Sequence, residues 1–167
     1  MSVPAPPVYV HRASAADAGR LAAIHRESIE TLGAQAYAPE LVAVWARPCV
    51  PRRYLDQMER GERYFLALAG ATGEEVLGFS SYRLEEGRHR TAVFVAARAA
   101  RRGVGSTLFR AAEAEARAAG ATEVHVDASV GAVGFYRAVG FEELGRGEHR
   151  LRDGRGAMAC VFMRKRL

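Results

Sequence analysis

The stretch Val93-Phe-Val-Ala-Ala-Arg-Ala-Ala-Arg-Arg-Gly-Val-Gly-Ser-Thr-Leu-Phe109 reads as a short buried strand, a basic turn and the start of a helix. Val93, Phe94 and Val95 are a compact apolar run of strand type. From Val104 onward the apolar positions are Val104, Leu108, Ala111, Ala112, Ala116 and Ala119. That is helical spacing, with Arg110, Glu113, Glu115 and Arg117 on the remaining face. Gly120 is placed to close the helix. The turn between holds Arg101, Arg102, Gly103, Gly105 and Ser106. A helix N-terminus leaves its first N–H groups unpaired and carries partial positive charge. Gly103 and Gly105 lack a Cβ, so a large anion can approach the backbone. Arg98, Arg101 and Arg102 add forked donors that suit phosphate oxygens. A phosphate or pyrophosphate is the expected ligand. On the glycines alone, an ordinary basic turn fits as well. The Walker pattern is absent, and Leu108 stands where the dinucleotide fingerprint needs its third glycine.

A second stretch supplies context: Asp127-Ala-Ser-Val-Gly-Ala-Val-Gly-Phe-Tyr-Arg-Ala-Val-Gly-Phe141. Together the two resemble the GNAT superfamily of acyl-CoA-dependent N-acyltransferases. In that family a Gln/Arg-x-x-Gly-x-Gly/Ala turn after the fourth strand holds the CoA pyrophosphate, and Phe-Tyr-x-x-x-Gly-Phe follows the fifth. Here those are Gly103-Val104-Gly105 and Phe135-Tyr-Arg-Ala-Val-Gly-Phe141, the second matching in full. In the first, Ala100 occupies the Gln/Arg position, leaving Arg101 or Arg102 to replace the missing contact. Ser129 stands where many members have Asn. The resemblance is weak before about Glu75 and strong from Val76 onward.

The 167 residues are enough for one domain with a substantial core, and one domain is expected, with residues 1–7 as a flexible lead-in. Apolar residues at 49% and charged residues at 26% are ordinary for a globular chain. No apolar run approaches the roughly 20 residues of a membrane span, and the N-terminus lacks the regions of a signal peptide. Two cysteines, Cys49 and Cys160, do not suggest a disulfide framework, so a cytoplasmic setting is expected. The net charge of +5 admits nucleic acid as a partner. The excess is arginine spread along the chain, which points to no one partner.

Val8–His11 alternates like an edge strand. Ser14 to Asp17 resembles a capping box, and Leu21, Ile24, Ser28 and Leu32 share one face of the helix that follows, ended by Gly33. His25 on that helix reads as a surface or partly buried residue. Pro39–Trp45 forms a short helix with Pro39 near N1, and Arg52–Arg60 another. Strands follow at Tyr64–Ala69, Val76–Tyr82, Thr91–Val95 and Val124–Asp127, the last with His125 and Asp127 on one face. Gly131–Val139 is a short helix with Ser129 as its cap, and a hairpin around Asp153-Gly154 closes the chain. The fold class is α/β: a mixed, mostly antiparallel sheet of six to seven strands with helices on both faces. The GNAT resemblance adds a splay between the fourth and fifth strands.

The resemblance implies transfer of an acetyl group from acetyl-CoA directly to a primary amine, on a small-molecule or peptide acceptor. Backbone amides from Arg102 to Ser106, with Arg101 beside them, would hold the pyrophosphate, and Phe94 and Val95 would pair with the pantetheine amides. Phe135, Ser129 and Val104 complete the expected cofactor contacts. Tyr136 matches the family's general acid. Tyr37 and Trp45 lie where the family builds its acceptor wall. The base is open between Glu85, Glu86, His89 and Asp127, since Thr91–Val95 carries no carboxylate. The histidines and cysteines have no metal-site spacing, so no metal is expected. Members are often dimers, so a homodimer is a partner to test. Two other readings stay open: a GNAT-like module that binds acyl-CoA without catalysis, and, with less behind it, a basic nucleic-acid-binding protein.

Overall fold

Phe79 and Ser80 are neighbours on β3 (Glu75–Glu85) and face opposite ways, as strand geometry requires. In the computed structural model, which describes residues 5–152 and 154–167, Phe79 meets His25 edge to face on α1 (Ala18–Thr31). Ser80 instead donates to the Leu108 carbonyl, at 2.7 Å, on α4 (Val104–Ala118). One strand therefore carries a helix layer on each face. The remaining elements are β1 (Tyr9–Arg12), α2 (Pro39–Ala46), α3 (Pro51–Glu59), β2 (Arg63–Ala69), β4 (Arg88–Val95), β5 (Glu123–Ser129), α5 (Val133–Ala138), β6 (Glu142–Arg150) and β7 (Ala157–Arg166).

Among the described residues the sheet has seven strands in the order β1-β2-β3-β4-β5-β7-β6. Every neighbouring pair is antiparallel except β4 and β5. Those two are parallel and registered only at Arg90 and His125, after which they part. The expected splay between the fourth and fifth strands is present.

Local sequence explains most boundaries. Asp17 accepts from the Ser14 amide at 2.9 Å, the expected capping box. Pro39 and Pro51 open α2 and α3, where a missing N–H costs nothing. Gly120 has φ +84° and closes α4. Ala112 and Ala116 are fully buried on α4, so that helix lies close against the sheet. Ala119, expected on the buried face, is exposed because the helix has already ended. Ser129 precedes a 3-10 turn at Val130–Ala132 but makes no side-chain cap bond. Residues 1–4 of the expected lead-in, and Asp153 of the expected turn, lie outside the described residues.

Gly78 is the tightest point between β3 and β4. A Cβ there would stand 2.5 Å from the Phe94 carbonyl oxygen and 3.0 Å from the Val95 Cα. Both are backbone and cannot rotate away. Gly78→Ala is expected to destabilise the protein by about 1–3 kcal/mol, the usual range for overpacking. Denaturant unfolding checks this; unchanged stability would mean that the two strands are free to separate.

Candidate active site

The turn that leads into α4 has the shape of an anion cradle. Arg101 (φ +60°) and Gly103 (φ +79°) are both left-handed, and Gly103 caps the helix. The first intrahelical bond runs from Thr107 N–H to the Gly103 carbonyl at 3.1 Å. The amides of Val104, Gly105 and Ser106 therefore lie ahead of the helical ladder, where an anion can take them. Arg101 and Arg102 are exposed beside them. Gly105 serves a purpose the sequence did not suggest: a Cβ there would meet the Phe135 ring at 2.9 Å. Its smallness seats Phe135 against the turn.

Arg98 does not join the cradle. It pairs with Glu27 and with Glu75 (3.0 Å) and donates to the Val76 carbonyl at 2.8 Å. It ties the end of β4 to α1 and β3, which corrects its expected role as a phosphate contact.

A cavity of about 1060 Å³ runs along the parted strands. Gly103, Gly105 and Ser106 line it together with Val93, Val95 and Tyr136. The Val93 amide donates to the Tyr136 hydroxyl at 3.0 Å. The next even-numbered amide after the strand, that of Ala96, bonds to the Leu77 carbonyl on β3. Backbone groups alternate sides along a strand, so Val93 and Val95 turn toward the gap and Phe94 turns toward β3. Phe94 thus offers its ring, not its backbone: it stacks on Phe79 at 5.3 Å and lies 4.1 Å from the His25 ring. The backbone that faces the gap is that of Val93 and not, as expected, that of Phe94.

Tyr136 is 3% exposed, and burial pushes its phenol up to about 12 despite the Val93 bond. It stays protonated at any physiological pH. Because its oxygen accepts from Val93, its own proton is available as a donor.

Helices α1 to α3 and the segment between α1 and α2 form the opposite wall. Tyr37 and Trp45 both line the cavity, their rings 5.8 Å apart. The Tyr37 hydroxyl donates to the Ala159 carbonyl (2.6 Å) and accepts from the Val130 amide (2.9 Å), so it is a strut across the cleft. His25 is fully enclosed, unlike the surface or partly buried residue expected, and its Nδ1 lies 2.8 Å from the Tyr54 hydroxyl. Burial first, then Arg53 and Arg152, push its ring well below the ordinary imidazole range. It is neutral and a poor proton acceptor.

Of the candidate bases, Glu85 and Asp127 reach the cavity. Glu86 sits on the β3–β4 turn (φ +50°), and His89 is bonded to the Tyr82 hydroxyl at 2.8 Å. Burial alone would raise Asp127, but bonds from His149 (3.0 Å) and Arg90 (2.8 Å) outweigh it and hold the carboxyl at about 2. So acidic a group does not take a proton from an amine. His149, which sequence reasoning missed, lines the cavity and is held by Asp127. Only its place on the closing hairpin could have signalled it.

A family model for the acetyltransferase (GNAT) domain matches residues 33–166, and the chain belongs to that family. Among solved structures it resembles a GCN5-related N-acetyltransferase from Rhodopseudomonas palustris, 28% identical, with TM-score 0.80 and 100% and 99% of the two chains covered. It also resembles the paiA N-acetyltransferase of Thermoplasma acidophilum in complex with coenzyme A (19% identical, TM-score 0.76, 96% and 99% covered). A phosphinothricin acetyltransferase from Sinorhizobium meliloti in complex with acetyl-CoA is similar as well (20% identical, TM-score 0.69, 96% and 88% covered). No curated protein sequence matches the chain. Among the described residues no group of three metal-ligating side chains occurs, and no helix is long and apolar enough to cross a membrane.

Two outcomes are expected. Gly105→Val should displace Phe135 and weaken CoA binding in calorimetric titration; unchanged affinity would remove this turn from the cofactor site. Asp127→Asn should cost on the order of 2 kcal/mol at neutral pH. A lowered carboxyl stabilises the fold above its ordinary value of 3.8, and that stability is lost as pH falls toward 2. The difference between variant and parent should therefore shrink over that window.

Proposed function

We propose that the protein moves an acetyl group from acetyl-CoA directly to a primary amine, with Tyr136 serving the departing sulfur. The observation that carries this reading is the meeting of Tyr136 with the Val93 amide where β4 and β5 part. The free edge of β4, the cradle ahead of α4 and a protonated phenol line one cavity. The family match and the neighbours holding coenzyme A or acetyl-CoA support it.

When bound, acetyl-CoA supplies an activated thioester. The amides of Val104 to Ser106, with Arg101 and Arg102, hold its phosphates, and Val93 and Val95 align its pantetheine arm along β4. The amine nitrogen forms a bond to the carbonyl carbon, the carbon–sulfur bond breaks, and the sulfur leaves with its electron pair. With its pKa at about 12 against an ordinary thiol value of about 8.5, Tyr136 would lose on the order of 5 kcal/mol by giving up its proton fully. Its part is a hydrogen bond to the sulfur, not complete transfer. His149, oriented by Asp127, takes the amine proton.

Direct transfer is favoured because neither cysteine is a ready nucleophile. Burial raises the Cys49 thiol, and burial with Asp127 pushes the Cys160 thiol up to about 11. A small-molecule or peptide acceptor, a cytoplasmic setting and a single domain belong to the same reading.

Titration with acetyl-CoA, with NAD and ATP as controls, followed by thiol release over an amine panel, tests the function. Selective binding with turnover is expected. Binding without turnover would make the protein an acyl-CoA-binding module, and no binding by folded protein would end the reading. Tyr136→Phe should lower kcat on the order of a hundredfold with little change in KM for acetyl-CoA. His149→Ala should cost at least about tenfold, and imidazole in the buffer should restore part of it; an unaltered rate would clear His149 of any role.

A further inference from the structure

Three guanidinium groups converge on the acceptor side of the cavity from three separate elements. Arg53 comes from α3, Arg83 from β3, and Arg152 from the connection after β6; all three line the cavity. Arg83 is compensated, with Glu85 at 3.3 Å and Glu62 at 3.8 Å. Arg53 has no carboxylate within ion-pair distance among the described residues, and Arg152 has only the longer-range attraction of Glu62. Arg53 points one nitrogen at the Cys49 sulfur (3.9 Å) and lies over the Tyr54 ring, and its Nε is buried with no partner among the described residues. Arg152 is exposed, and its head group lies against Gln57 when that amide is turned to satisfy both neighbours. The carboxylate behind them, Glu62, is committed to Tyr64, Gln57 and Arg83.

The two cations also feel one another, and Glu62 offsets only part of that repulsion. Burial first, then the charge of Arg53, push the Arg152 guanidinium down. Like charges brought together in a part-desolvated wall are unfavourable until a counter-ion arrives. The cofactor phosphates are not that counter-ion. Arg83 is registered with Arg90 at the start of β4, whereas the phosphate cradle follows the strand's other end. Five residues of strand, about 16 Å, separate Arg90 from Val95. Arg90 itself is already neutralised by Asp127 (2.8 Å) and Glu85 (3.3 Å).

We propose that Arg53 and Arg152, with Arg83 beside them, form an anion subsite, and that the acceptor amine also carries a carboxylate, as a free amino acid does. A carboxylate between two forked donors makes charge-assisted bonds to both and relieves their repulsion. The inference rests on the acetyl-transfer reading for the amine and stands apart from it for the anion.

The test uses matched sets: amino acids, their carboxamides and the corresponding decarboxylated amines as acceptors for thiol release. In parallel, the CoA-saturated protein is titrated with the N-acetyl amino acids and their amides as product probes. The acids are expected to be preferred in both assays. Arg53→Gln and Arg152→Gln should each reduce the acid-to-amide preference about tenfold, while thermal midpoints, measured alongside, stay near the parent's. Equal or better use of amides, or no binding of any acid probe, overturns the subsite; thiol release from those amides leaves acetyl transfer intact. Preferential binding of the acids with no thiol release from any amine supports the subsite and overturns acetyl transfer.

Discussion

The pairing that β4 and β5 do not make governs the rest of the structure. Parallel neighbours in the middle of a sheet would ordinarily exchange bonds along their whole length, and an unpaired backbone group away from water is costly. Here registration stops at Arg90 and His125. Beyond that point β5 is held from its other side by β7, from Glu123 to Ser129, and β4 is held by β3 from Arg88 to Val95. Each strand keeps one full ladder, so the sheet survives the gap. The inner edges are what the gap exposes. One of them, the Val93 amide, is satisfied by a side chain, Tyr136, and not by a strand.

This arrangement divides the chain's excess of positive charge into separate uses. Several arginines are structural: Arg98 binds two glutamates and a carbonyl, and Arg164 binds Glu142 and Glu123. Exposed pairs of this kind contribute little individually. Arg101 and Arg102 are exposed beside the helix N-terminus, Arg102 donating to the Arg98 carbonyl at 3.4 Å, where an anion would meet backbone donors as well. Arg90 is consumed in holding Asp127, and through it His149. Arg53, on the cavity wall opposite Tyr136, has a buried Nε with no partner among the described residues. The net charge of +5 therefore describes none of these roles by itself.

The fold was legible because its signals are local. The helical spacing from Val104 to Ala116, Pro39 at the start of α2 and the Ser14–Asp17 capping box before α1 each specify their own element. Tyr136 was legible through its motif. The polar wiring was not, because it depends on residues far apart in sequence. Tyr37 meets Ala159 and Val130, His149 meets Asp127, and Arg53 approaches Arg152 only after the sheet has formed. Glycine at 105 was read as room for a ligand, yet its neighbour is the Phe135 ring. The pairing expected of Phe94 came from the family resemblance, and strand alternation gives its backbone to β3 instead. A pattern of residue types states which face a residue takes, but not which partner waits there.

The cavity wall opposite Tyr136 is built to hold its shape. Tyr37 joins the segment between α1 and α2 to both β7 and the turn after β5, two hydrogen bonds on one hydroxyl. His25 and Tyr54 bond α1 to α3 inside the core, and Gly33 lets the Trp45 ring approach where a Cβ would stand 2.8 Å from it. These contacts fix α1, α2 and α3 as a unit against the sheet. A fixed wall cannot turn the buried Nε of Arg53, on α3, outward to recover hydration, so its energetic burden stays in the cleft. Preorganised charge of this kind is most favourable to the ligand that neutralises it, since no reorganisation has to accompany binding. The rigidity supplied by Tyr37 and His25 is therefore what would convert the unpaired Nε of Arg53 into selectivity for an anionic acceptor.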